Sequence, residues 1–334
     1  MRRFPVILAA VVVAAACGYT GYWYYVAGQL RQGMGEWLAA QGAGAPQVAW
    51  RSLDVGGYPL RFRLNFTDAR VAANLPFPYA AESAAVEAEA WPFALRRWRF
   101  TALGGAKITA PLDAVGLSAG ALDGSVDLTD GATVVATHAR AIAGAGAAQG
   151  FTADTLELKL TLPRQAPKTD RDPLAEASVS LAAADLPQAP PPFPRRIDAL
   201  TLVATVRGAM PPGALVDALA KWRDGGGTLD IDSAHIAWGK TTVDLDGTLA
   251  LDQAMQPQGA FTATVTGGDA IVDAIVDAGV IEAQYAEFAK AVLRAIAHPD
   301  DDGVDALHVP VTVQDRRIYV GPAPIAALPQ LKWR

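Results

Sequence analysis

Cysteine is almost missing. Cys17 is the only one, so the chain can form no intrachain disulfide and no cysteine-based zinc site. Histidine is nearly as scarce: His138, His235, His298 and His308 show no H-x-x-x-H or comparable ligand spacing, which gives no basis for a histidine zinc site. Charge is sparse as well, at 19% of residues, and the 28 basic side chains are scattered among 34 acidic ones, for a net charge of −6. That distribution excludes a nucleic-acid-binding face. Arginine far outnumbers lysine and alanine is abundant, a composition associated with GC-rich bacterial genomes. What is plentiful is apolar side chain, 51% of 334 residues, so folding rests on burial in a chain long enough for two domains of ordinary size.

Charge is wholly absent between Arg3 and Arg31. The core of that gap, VILAAVVVAAACGYTGYWYYVAG (6–28), is long enough for a helix to cross a hydrocarbon layer of about 30 Å. Arg2 and Arg3 precede it, and Tyr22, Trp23, Tyr24 and Tyr25 form an interfacial aromatic belt at its far end. A positive start and such a belt place the N-terminus in the cytoplasm and the bulk of the chain across the bacterial inner membrane, in the periplasm. A cleaved signal peptide shares the positive start, but its apolar core is shorter and ends at a small-residue site without further aromatic residues. Lipid modification of Cys17 is the other alternative, although Ala leads the AAAC stretch and no polar tether follows.

Residues 29–41 predict a short juxtamembrane helix with Leu30, Met34, Trp37 and Leu38 on one face, ended by Gly42, Gly44 and Pro46. From there the period is two. Leu156, Leu158, Leu160 and Leu162 share one phase, as do Leu200, Leu202, Ala204 and Val206. The same holds for Val243, Leu245, Leu249 and Leu251, for Phe261, Ala263 and Val265, and for Val309, Val311 and Val313. Such alternation predicts half-buried, mostly antiparallel strands, so the expected fold is mainly β (α+β). Helical spacing is confined to 211–223 and to 269–297, with a break at Gly279. In the second of these Ile271, Ile275, Val276, Tyr285, Phe288, Val292 and Ile296 form a stripe expected to pack on a sheet. LPQAPPPFPRR (186–196) is an extended, exposed Pro-rich stretch. The expected organisation is therefore anchor 1–28, a first β-rich half 29–185, the Pro-rich linker 186–196, and a second half 197–334 closed by the hairpin around Gln314–Arg316. Whether the halves are separate domains or one sheet stays open.

No catalytic constellation emerges. GLSAG (116–120) matches the nucleophile-elbow pattern around Ser118, but an elbow needs a helix to follow, and ALDGSVDLTDG continues as strand. HPDDDGVD (298–305) lacks the calcium-loop spacing and its distal Glu. GGGT (225–228) and GAGAAQG (144–150) lack the Gly-Lys-Ser/Thr of a phosphate loop. Asp230, Asp232, Asp244 and Asp246 read as solvated strand faces. No cofactor is implied.

In GGYPLRFRLNF (56–66), Leu60, Phe62, Leu64 and Phe66 alternate with Arg61, Arg63 and Asn65. Together with YWYY, EWL, the stretch from Trp50 through GYPLRFRL, LDIDSAHIAWG, VDLDGTLALDQAMQPQGAFTATVTG and VTVQDRRIYVGPAPIAALPQL, it resembles a bacterial family filed as domain of unknown function 2125. GYPLRFRL and the DG-x-L-x-LD strand pair are also similar to the wider AsmA-like superfamily of envelope proteins. That resemblance implies an inner-membrane anchor and long, curled, groove-forming sheets with a role in lipid transport or outer-membrane homeostasis. It supplies no catalytic residue. Helices are too few to cover every apolar strand face, so the sheets either pack on each other as a filled sandwich or curl into an open trough. In the trough reading Leu60, Phe62, Leu64 and Phe66 face bound lipid, while Arg61 and Arg63 stand outside, to meet lipid phosphates or to solubilise an edge strand. The partners implied are the membrane, phospholipid and other envelope proteins. The rival reading is a non-enzymatic structural or interaction protein, and a hydrolase using Ser118 is the third.

Overall fold

Long runs of alternating residues carry backbone N–H and C=O groups that neighbouring strands must satisfy. In the computed structural model, which describes residues 3–40, 47–73, 79–110, 115–145, 150–189, 193–211, 213–277, 282–299, 305–331 and 333, these runs join a single sheet of 18 strands. Helix α1 (Arg3–Ala39) comes first, then β1 (Gln47–Ala49), β2 (Ser52–Gly56), β3 (Phe62–Ala73), β4 (Tyr79–Ala90), β5 (Arg97–Leu103) and β6 (Ala106–Ala110). The middle is β7 (Val115–Leu128), β8 (Ala132–Ala145), β9 (Phe151–Pro163), β10 (Pro173–Asp185) and β11 (Arg196–Arg207). After α2 (Leu215–Asp224) come β12 (Thr228–Trp238), β13 (Thr241–Leu251), β14 (Pro257–Thr266), α3 (Gly268–Asp277) and α4 (Ala286–Ile296). The chain ends with β15 (His298–Pro299), β16 (Asp305–Gln314), β17 (Arg317–Val320) and β18 (Ala323–Ala327).

All pairings are antiparallel and almost all join strands that are neighbours in sequence. β1 and β2 both lie against β3, and β5 and β6 both bridge β4 to β7. Among the described residues no pairing returns from β18 to the first strands, so the sheet is an open meander. The Pro-rich stretch joins β10 to β11, which pair directly from Asp185↔Arg196 to Pro173↔Arg207, and the ladder runs straight through it. The last predicted hairpin forms, its turn made by Asp315 and Arg316 at φ 50° and 57°.

Two expectations are corrected. The anchor and the juxtamembrane helix are not separate elements, because α1 runs unbroken from Arg3 to Ala39. Gly28, Gly33 and Gly35, three of its five glycines, lower helix propensity around the junction but do not end the helix. The stripe of the second helical region does not pack on the sheet as a whole, since Tyr285, Phe288 and Val292 are exposed. α4 instead turns Lys290 and Arg294 to Asp273 and Asp269 of α3, so the two helices hold each other. The predicted break at Gly279 lies outside the described residues.

Burial is shallow. The accessible surface is 20449 Å², whereas a compact monomer of 34.9 kDa exposes about 13,000 Å². A free-standing helix of 37 residues contributes roughly 2,000 Å² as a cylinder of the usual diameter, so the helix alone does not account for the excess. Phe62 is the one large side chain fully withdrawn from solvent among the described residues.

A crease crosses the sheet. On β7 to β11 the apolar phase is broken once per strand by a spacing of three: Ala119 to Leu122, Ala139 to Ile142, Ala153 to Leu156, Leu181 to Ala184, Ile197 to Leu200. The breaks lie side by side. Ala119↔Ile142, Ile142↔Ala153 and Ala184↔Ala153 pair on one flank, and Leu122↔Ala139, Ala139↔Leu156 and Leu181↔Leu156 on the other. Ala141 and Ala183, the residues between, take left-handed φ of 51° and 53°. The line extends to β3, where Asp68 has φ 47°, and passes the gap between β5 and β6 at Gly104 and Gly105, φ 85° and 84°. Each left-handed residue reverses the side-chain phase, so both flanks keep their apolar side chains on the same face. The inside of the crease is a small packed cluster of Ala139, Ile142, Ala153 and Ala184 with Leu122, Leu156 and Leu181.

A left-handed alanine costs about 1 kcal/mol that glycine does not. Ala141→Gly and Ala183→Gly should therefore each raise the melting temperature by about 2 °C or more, while Ala182→Gly, one residue away at ordinary φ, should lower it. Differential scanning calorimetry of the three variants checks this, and a fall at both left-handed positions would contradict it.

Candidate functional site

The feature that register builds is an apolar face. Starting at β2, residues directly opposite one another read Leu53, Phe66, Val86, Ala102 and Leu122. The row continues through Ala139, Leu156, Leu181 and Leu200. It ends with Ile236, Val243, Val265 and Leu307 on β12 to β16. Every position of the row is apolar from β2 to β16. One step along the strands on the same face, a second row passes through Val55, Leu64, Ala88, Phe100 and Gly124, reaching Leu158, Val179 and Leu202. Gly124 is required there, since a Cβ would come within 2.3 Å of the Ala136 carbonyl oxygen and 2.5 Å of the Phe100 ring lying over it.

Helices cover this face only at its ends. At the first, Trp23 and Ala27 of α1 pack on Val55, Phe62 and Leu64, and the Trp23 and Phe62 rings stack at 5.1 Å. At the other, α3 and α4 contact β13 and β16. Among the described residues no helix crosses the face between β7 and β10, where Leu158 keeps 39% of its surface exposed and Leu156, Leu160, Val179 and Leu181 are half-buried.

The four alternating residues of the 56–66 stretch separate accordingly. Phe62 and Leu64 are buried under α1 and Phe66 packs beside them, so these three belong to the closed end of the face. Leu60 corrects the expected pattern: it sits in the turn before β3 and is 66% exposed, because the strand alternation begins only at Phe62. Arg61 and Arg63 are held by carboxylates on the side away from the apolar face. Arg63 reaches Glu89 at 2.7 Å and Glu87 at 3.4 Å, and Arg61 reaches Glu89 at 2.5 Å while lying over the Trp91 ring at 5.4 Å. Burial alone would push the Glu89 carboxyl up, but hydrogen bonds and charge from the two arginines outweigh it and hold it below its ordinary value of 4.5. The same contacts raise Arg63 further, led by its hydrogen bond to Glu89.

Elsewhere the polar side carries similar cross-strand pairs, Arg97 with Asp127 at 2.9 Å and His235 with Asp244 at 2.7 Å. Asp230 and Asp232, read as solvated, accept from Arg207 and Thr205. Ser118 lies inside β7 and its hydroxyl donates to the Ala143 carbonyl at 3.3 Å, so the strand-to-helix elbow does not form. Among the described residues no group of three or more His, Cys, Asp and Glu is arranged to hold a metal ion; residues 300–304 of the acidic turn lie outside them.

The residues that build this face span nearly the whole chain, and one family model matches residues 23–329. The chain belongs to DUF2125, described as an uncharacterized protein conserved in bacteria. The DUF2125 match opens at Trp23, the α1 residue that stacks on Phe62, and closes two residues beyond β18, so it takes in the entire sheet together with the helix segment that caps it. No curated protein matches the chain, and no solved structure does.

Glu89 supplies a pH signature. Its folded pKa is depressed, so the unfolded chain binds more protons between the folded value and about 4.5, and stability rises with pH across that window. The contribution is complete above about 4.5 and is lost as pH falls through the lower folded value. Glu89→Gln should lower the melting temperature near neutral pH and flatten its decline in acid; an unchanged acid limb would show the network to be without effect.

Proposed function

We propose that this DUF2125 protein is a membrane-anchored, periplasm-facing protein that accommodates lipid acyl chains on the apolar face of its sheet, in the service of envelope lipid homeostasis. The observation that carries the reading is the unbroken apolar row from Leu53 to Leu307, helix-covered at both ends and, among the described residues, crossed by no helix between β7 and β10, where Leu158 of the neighbouring row stands exposed. A contiguous apolar surface left half-exposed over this extent suits a binding surface in soluble proteins, and each methylene withdrawn from water onto it is worth about 0.8 kcal/mol. The large accessible surface favours an open face over a filled sandwich, the structural-protein alternative.

The anchor is part of the same proposal. Among the described residues no helix is long and apolar enough to cross a membrane, and those residues omit the side chains of 1–6 and 8–10. The sequence there adds Phe4, Val6, Leu8, Ala9 and Ala10 to Ile7, Val11, Val12 and Val13, which are exposed on the described part of α1. A helix apolar all round and uncovered by protein suits a hydrocarbon surrounding. The likeness of GYPLRFRL to the AsmA-like envelope superfamily points the same way.

The full chain, extracted in mild detergent and analysed by lipid mass spectrometry, should carry phospholipid. Leu156→Asp combined with Leu181→Asp, paired in the centre of the row, should lower the retained lipid several-fold while circular dichroism stays that of a β protein. A wild-type chain recovered without lipid would leave the structural alternative in its place.

A further inference from the structure

Four large side chains with apolar rings or branches cluster where the sheet meets α1, and all four stay largely exposed although Tyr58 also packs edge-on against Trp23. Tyr58 and Leu60 crown the β2–β3 turn, and Trp91 and Phe93 the β4–β5 turn; Leu60, Trp91 and Phe93 are 66%, 58% and 83% exposed. Both turns are tied to one short stretch of α1. Thr20 Oγ1 and Tyr58 OH are 2.7 Å apart, Tyr22 OH donates to the Pro92 carbonyl at 2.8 Å, and Trp23 Nε1 donates to the Arg61 carbonyl at 3.2 Å. The Tyr22 ring stacks on Phe93 at 6.2 Å and Tyr24 on Tyr58 at 5.8 Å. The turns are therefore held at a fixed height on the helix, level with its aromatic stretch and next to its uncharged N-terminal part. Beside them the Arg61 guanidinium lies over the Trp91 ring at 5.4 Å. Aromatic tips beside a cation suit a bilayer interface, from its acyl boundary to its phosphates.

We propose that these two turns seat in the headgroup layer of the membrane that α1 spans, docking one end of the sheet on the lipid surface. This rests on reading α1 as the anchor. It deepens the proposed function, because the apolar face then begins at the acyl boundary and a lipid chain can pass onto it without crossing water. The exposure of Leu60, which strand alternation does not explain, follows from the docking.

The test uses the full chain with Cys17→Ser and one new cysteine, Leu60→Cys, Phe93→Cys, or Lys240→Cys in the β12–β13 turn at the opposite end of the strands, each carrying a polarity-sensitive fluorophore. The variants are reconstituted in vesicles of phosphatidylethanolamine and phosphatidylglycerol. Brominated acyl chains should quench the labels at 60 and 93 several-fold more than the label at 240, and iodide should quench them less. Equal iodide access at all three positions, with the protein still floating with the vesicles after alkaline washing, would overturn the docking and leave the anchor intact. Loss of the protein from the vesicles in that wash would overturn the anchor and the docking together.

Discussion

The structure depends on one constraint: every strand of a very wide sheet must turn its apolar side chains to the same face, although the sheet bends. A slip of one residue in any strand would carry its whole apolar set to the opposite face. The bend is accommodated by a line of left-handed residues, Asp68, Ala141 and Ala183 with Gly104 and Gly105, set at matching heights in their strands. Each inserts one residue into the alternation, so the phase reverses where the surface does. That the reversal is shared by β7, β8, β9, β10 and β11 keeps the row from Leu53 to Leu307 unbroken and lets its Leu122, Ala139, Leu156 and Leu181 pack against Ile142, Ala153 and Ala184 across the crease.

Stability in such a sheet is a nearest-neighbour quantity. Strands touch the strands beside them, and a filled core is replaced by backbone ladders, cross-strand pairs and small closures at the margins. Trp23 on Phe62 closes the first margin. At the second, buried Gln256 exchanges hydrogen bonds with the backbone of Leu331, 2.9 Å and 3.1 Å, and Trp333 Nε1 donates to the Met255 carbonyl at 2.7 Å, which fastens the C-terminal tail over the β13–β14 turn. Trp222 of α2, donating to the Arg207 carbonyl at 2.7 Å, closes the side of β11 and β12. Like the units of a repeat protein, each strand pair then contributes its own interface to the total. Losses at one margin are felt mainly there.

Much of this was legible in the sequence, and the remainder was missed for definite reasons. Period-two alternation identified the strands because a half-exposed face leaves the pattern clean, as in Leu156 to Leu162. The crease also left a trace, a spacing of three in five consecutive strands, but such a spacing in any one strand looks like an ordinary irregularity until register aligns it with its neighbours. The partners of Arg61 and Arg63 were present as Glu87 and Glu89, alternating in VEAEA, yet nothing local says that β4 lies beside β3 at that register. α1 reads as two segments because the uncharged apolar run ends ahead of Arg31, a change of composition that does not interrupt the helical backbone. The contacts of Phe93 with Tyr19 and Tyr22, some seventy residues away in sequence, had no local signal at all.

The chemistry of the apolar face limits what it can recognise. Leucine, valine, isoleucine and phenylalanine supply most of its positions, and Thr137 is the one hydroxyl side chain in the row through Leu158. A surface without fixed donors or acceptors can distinguish a hydrocarbon chain from water but has little means of distinguishing one chain from another, since discrimination requires polar groups left unpaired by the wrong partner. Whatever selectivity the protein has must come from groups outside that face. The arginines nearest its α1 end, Arg61 and Arg63, are held by Glu87 and Glu89 at 3.4 Å or less, so their charge is balanced in place. A phosphate approaching them would have to compete with carboxylates that the sheet register fixes beside them.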